Sequence, residues 1–69
     1  MPPRSWFKER VKRAAQIIKQ EGKMHYTKLA IMLNISPSYA REICRAIASF
    51  NPEEYYYEDG TIEYIGGKG

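Results

Sequence analysis

The sequence predicts a small, mainly α domain that ends in a β-hairpin. Three observations carry this. Apolar residues recur at helical spacing in two blocks, Phe7 to Ile18 and Leu29 to Ile47. A short break, Asn34-Ile35-Ser36-Pro37, divides the second block. Asp59-Gly60 then stands between two β-prone runs, the pattern of a two-residue hairpin turn. At 69 residues these elements make one domain spanning 1–69. A chain this short buries only about 60% of the surface its unfolded form exposes, so self-association is one way to extend a thin core.

The first helix is predicted over 5–21. Phe7, Val11, Ala14 and Ile18 lie at i, i+4, i+7 and i+11, a core stripe widened by Ile17 and Trp6. Ser5 is read as its cap, Met1-Pro2-Pro3 as a lead arm, and Gly22 as the left-handed residue that ends it. Around the stripe, Arg4, Lys8, Arg10, Lys12, Arg13 and Lys19 are offset only by Glu9 and Glu21. Met24-His25-Tyr26 is too short for a helix and fits a small strand over 24–26. His25 is the single histidine and has no ligand or acid–base partner nearby in sequence. It is read as a hydrogen-bonded edge or surface residue rather than a metal ligand.

Residues 27–50 read as two helices joined by a tight turn. Thr27 stands at the cap position, and Leu29, Ala30 and Leu33 mark a buried stripe. Asn34 ends the helix because asparagine tolerates the left-handed conformation, and Ile35 follows as an apolar plug. Ser36 caps the next helix with Pro37 in its first turn, where a missing amide costs nothing. That helix, 37–50, buries Ala40, Ile43, Cys44 and Ile47 and stops at Phe50-Asn51-Pro52. Cys44 on this face is read as a small buried hydrophobe. The hairpin spans 54–65. Its register pairs Tyr57 with Ile62 and Tyr55 with Tyr64, an aromatic face for the helical core. Tyr56 and Glu63 face the other way, and Glu58 lies opposite Thr61. Gly66-Gly67-Lys68-Gly69 is read as a flexible end.

Ala30 at the helix crossing, Asn34 at the turn, Ile35 after it, and apolar Ala40 and Ile43 resemble the helix-turn-helix of small DNA-binding regulators. With the flanking segments, nearly the whole chain resembles the winged-helix family. Its composition is similar to that of small archaeal and viral proteins. The family usually carries glycine at the turn, so Asn34 is a departure. The resemblance implies three helices plus a two-stranded wing, with the 24–26 strand pairing to the wing. It also implies a transcriptional regulator that binds double-stranded DNA as a homodimer and inserts helix 37–50 into the major groove. Ser38, Tyr39, Arg41, Glu42 and Arg45 would then meet base edges or groove walls. Thr27, Lys28, Ser36, Arg4, Lys8, Lys12 and Arg13 would meet phosphates.

Charge distribution favours such a partner for one half of the chain only. Residues 1–50 carry ten Lys or Arg against three acids, +7; residues 51–69 carry one Lys against five acids, −4. No cation lies between Arg45 and Lys68, so the wing tip Glu58-Asp59-Gly60-Thr61 departs from DNA-binding relatives whose tip often carries Arg or Lys. The alternative is a protein-interaction module, or a small subunit of a nucleic-acid-processing complex. It would use the acidic hairpin with Tyr55, Tyr56 and Tyr64 as its interface. A third reading is a non-specific nucleic-acid or chromatin protein using the same basic face. No acid–base pair or activated nucleophile points to an enzyme, and no residue cluster points to a metal or cofactor. One cysteine precludes an internal disulfide. No apolar run approaches the ~20 residues that span a membrane, and no signal-peptide pattern is present. The expected location is cytoplasmic, nucleoid-associated if the chain binds DNA.

Overall fold

A computed structural model describes residues 4–66, with side chains from Phe7 onward. The lead arm Met1–Pro3, the end at Gly67–Gly69 and the roles expected of the Arg4, Ser5 and Trp6 side chains lie outside the described residues.

Helix α1 runs Arg4–Glu21, so it starts one residue earlier than the sequence suggests. Val11, Ala14 and Ile18 are buried, and Phe7, Ala15 and Ile17 pack partly buried against them. Gly22 ends the helix at φ +92°, with its N–H donating to the Ile18 carbonyl at 2.8 Å.

Strand β1 covers Lys23–His25 and helix α2 Tyr26–Leu33. The strand thus lies one residue before the expected 24–26, and Tyr26 is already helical. The cap of α2 is His25 rather than Thr27. The imidazole Nδ1 accepts the Thr27 N–H at 3.3 Å and lies 2.8 Å from Thr27 Oγ1. The reason is a long-range contact: Tyr26 N–H donates to the Gly60 carbonyl at 2.9 Å. One of the free amides of the first turn is satisfied by the hairpin, so the helix begins sooner than local propensity dictates.

Asn34 ends α2 at φ 56° and ψ 50°. Ile35 N–H donates to the Ala30 carbonyl at 2.9 Å and Asn34 N–H to Ile31 at 3.2 Å. That is the Schellman closure of a helix end. Helix α3, Pro37–Phe50, starts where Ser36 Oγ accepts the Tyr39 N–H at 3.2 Å. Ala40, Ile43, Cys44 and Ile47 on α3 are completely buried.

After Asn51 a short turn leads to β2, Tyr55–Glu58, and β3, Thr61–Tyr64. Asp59 and Gly60 join them with φ 51° and 81°, the doubly positive geometry of a tight hairpin. The register pairs Tyr55 with Tyr64, Tyr56 with Glu63, Tyr57 with Ile62 and Glu58 with Thr61. Strand β1 lies antiparallel on the far side of β3, giving the order β1-β3-β2. One sheet face carries buried Met24, Tyr55 and Ile62 with half-buried Tyr57 and Tyr64, and it covers the helical core. The Tyr55 hydroxyl donates to the Ala15 carbonyl at 2.9 Å and ties β2 to α1. Three helices and a three-stranded antiparallel sheet around one core are compatible with a winged-helix arrangement. Among the described residues no helix is long and apolar enough to cross a membrane.

Candidate nucleic-acid interface

Helix α3 is strongly two-faced. Its inward stripe is sealed in the core, which leaves Ser38, Arg41, Glu42 and Arg45 exposed on the outward side. Arg41 and Arg45 are one turn apart. Among the described residues they form no ion pair, either with Glu42 or with another acid. Both guanidinium groups therefore keep their hydrogen-bonding capacity for a partner. Strand β2 borders this face through half-buried Tyr57. Burial is the main cause raising the Tyr57 phenol above its ordinary value, while the nearby Arg41 and Arg45 charges pull against that rise.

Tyr39 is placed differently from the other four. It is half-buried, its ring lies 6.3 Å from that of Phe7, and the Arg10 guanidinium sits 5.7 Å over its face. These contacts make it a brace between α1 and the start of α3.

Of the residues expected at phosphates, Thr27 and Lys28 are exposed at the start of α2. The Thr27 hydroxyl is engaged with His25, and Lys28 Nζ lies 3.7 Å from Glu21 Oε1 in a solvent-exposed pair. Such a pair is worth ~0–1 kcal/mol, so it holds Lys28 only weakly. Ser36 spends its hydroxyl on the α3 cap. The cations of α1 divide into two groups. Arg13, with Arg10 and Glu9, borders Met32, Leu33 and Asn34 at the α2–α3 turn. Lys8 and Lys12 border Phe50 and Asn51 at the far end of α3 from Ser38. These α1 cations therefore do not form one continuous face.

The hairpin tyrosines also separate. Tyr55, expected at an interface, is a core residue whose hydroxyl is already used within the chain, because its register position points inward. Burial raises its pKa, helped by the neighbouring Glu54 charge and Tyr64. Tyr64 is half-buried with its ring 5.2 Å from Tyr55 and Lys19 Nζ 5.5 Å over it. Tyr56 is 52% exposed, and its hydroxyl donates to the Glu58 carboxylate, the first cause of its raised pKa. The hairpin turn rests on His25 and Tyr26 and is bonded to the start of α2. The hairpin is therefore short and anchored rather than projecting. Sequence reasoning missed two participants, His25 as a cap and Tyr57 beside the arginines. The hairpin register had placed Tyr57 on the inward face with Tyr55, but no local pattern signals that its ring lies near Arg41 and Arg45.

Among the described residues no three His, Cys, Asp or Glu side chains are grouped to hold a metal. Comparison with protein-family models, curated proteins and solved structures finds no match to this chain.

Proposed function

We propose that this chain is a winged-helix DNA-binding protein, a transcriptional regulator that acts as a homodimer and sets α3 into the major groove. The observation that carries the reading is the outward face of α3: exposed Ser38, Arg41, Glu42 and Arg45 over a fully buried inner stripe, with both arginines unpaired among the described residues. A major groove about 12 Å wide admits one helix, and an arginine reads guanine by bonding O6 and N7 together. Arg41 and Arg45 take this role, Glu42 accepts from a cytosine amine, and Ser38 holds a phosphate or base edge. Thr27 and Lys28 at the α2 start and Arg13 beside the turn supply backbone contacts. The +7 charge of residues 1–50 supports the same partner.

A second reading is favoured by one feature. The hairpin carries exposed Tyr56 beside Glu58 and Asp59, and no cation lies between Arg45 and Lys68. An anchored acidic wing with an exposed aromatic suits a protein partner, as in a small subunit of a nucleic-acid-processing complex.

Selection from a random-sequence duplex pool, repeated as a salt series, separates the readings. Specific binding gives an enriched motif and a log K that falls by about 0.9 per phosphate neutralised for each unit of log salt. Arg41→Ala/Arg45→Ala is expected to lose the motif, at a cost of ~1–3 kcal/mol per bidentate contact. Steep salt dependence without a motif indicates a non-specific nucleic-acid protein. No binding at about 50 mM salt overturns DNA recognition and turns attention to the hairpin.

A further inference from the structure

Phe50 continues the inward stripe of α3, after Ile43 and Ile47, beyond the point where the core ends. It is 66% exposed. Two shallow clefts meet at it. One, of about 380 Å³, is lined by Lys8, Val11, Lys12, Phe50 and Asn51. The other, of about 280 Å³, is lined by Phe50, Asn51, Pro52, Glu53 and Glu54. A single exposed aromatic thus has two lysines on one side and two glutamates on the other. All four charged side chains are exposed, and among the described residues none of them forms an ion pair.

We propose that this surface is a self-association site, with a second copy of the chain as its occupant. A twofold axis beside Phe50 brings Lys8 and Lys12 of one protomer against Glu53 and Glu54 of the other, and the reverse contact follows by symmetry. Each Phe50 ring enters the cleft walled by Val11 of its partner. The charge order selects this occupant. An acidic peptide would satisfy the lysines but stand against the glutamates, and a basic partner would do the opposite. A surface carrying both signs around one aromatic matches both halves, and the copy has it.

The patch is small. Eight residues a side fall short of the roughly 20–30 of a stable interface, so the free dimer is weak and tightens when DNA holds two copies together. Its position also suits that role. Phe50 lies twelve residues after Ser38, about 18 Å along α3. Two copies joined at Phe50 hold their α3 starts up to roughly 36 Å apart, the reach of half-sites one DNA turn apart.

This inference supplies the contact for the homodimer proposed above, and its test contains no DNA, so its failure and a failure of DNA binding are read separately. Sedimentation equilibrium of the full chain up to about 1 mM is expected to show reversible dimerisation, weakened by salt. Phe50→Ala is expected to raise the dimer dissociation constant by at least about tenfold. Lys8→Glu/Lys12→Glu and Glu53→Lys/Glu54→Lys are each expected to be monomeric, while their equimolar mixture dimerises again. All five positions are exposed, so the variants keep the fold, and circular dichroism checks that they do. A strictly monomeric wild type overturns the proposal. So does a dimer indifferent to Phe50→Ala, or a mixture that stays monomeric.

Discussion

Gly60 meets two demands at once. Its φ of +81° is one that residues with a side chain rarely adopt, and a Cβ there would stand 2.6 Å from His25 Nε2 and 3.1 Å from Tyr26 Cε1. His25 caps α2, so moving its ring would loosen the helix start as well. Gly22 carries only the first demand: φ is +92°, but an added Cβ meets nothing within 4 Å. Gly22→Ala is therefore expected to cost about 1–2 kcal/mol, the penalty for a left-handed residue. Gly60→Ala should cost more, by the ~0.5–2 kcal/mol of a lost cap. Urea unfolding of both variants measures the difference, and equal losses would mean that the His25 ring yields freely. The glycine was legible in the sequence as a turn residue, but the cap was not. Thr27 is the better cap by propensity, and His25 takes the role because the Gly60 carbonyl, remote in sequence, receives the Tyr26 amide. Tyr39 went the same way: nothing within α3 shows that Phe7 and Arg10 hold its ring.

At the scale of elements, the turn between α2 and α3 was the most legible because the two helix ends that meet there are written in local chemistry. Asn34 supplies the left-handed stop, Ser36 the cap and Pro37 the preset first turn. Ser36→Ala tests how much of the α3 start depends on that chemistry. It removes the acceptor for the Tyr39 amide and is expected to lower stability by about 1 kcal/mol. Chemical denaturation reads this directly, and an unchanged midpoint would show that water replaces the hydroxyl without loss. The hairpin was legible in register, since Asp59-Gly60 fixes which residues oppose each other. Its tyrosines were harder to assign, because register gives the face and not the depth. Tyr55 and Tyr64 share the inward face, yet Tyr55 is buried under α1 while Tyr64 stays half open beneath Lys19. Strand β1 was legible only as a gap between helices. Its bounds are set by pairing with Lys23 opposite Glu63 and His25 opposite Thr61, which no local pattern encodes.

For the molecule as a whole, the thin core has a consequence at alkaline pH. Cys44, Tyr55 and Tyr57 are all held protonated by burial, and the Cys44 thiol is pushed up from an ordinary 9.0 to about 12. A folded-state pKa raised above the unfolded value means that the folded chain keeps a proton the unfolded chain gives up. The stability this contributes is complete below the unfolded pKa and is lost as pH rises towards the folded one. For Cys44 that window opens near pH 9, and for the tyrosines near 10. Unfolding free energy is therefore expected to decline above about pH 9, with each group limiting its slope to ~1.4 kcal/mol per pH unit. Between pH 9 and 10 the thiol dominates among these three, so Cys44→Ala isolates it. The variant starts lower at pH 7 because it loses buried volume, and it is expected to be flatter than the wild type over that interval. Denaturant titrations at half-unit pH steps give the two slopes. Parallel curves would mean that the thiol reaches water in the folded chain and that α3 does not seal its inner face as tightly as its burial indicates.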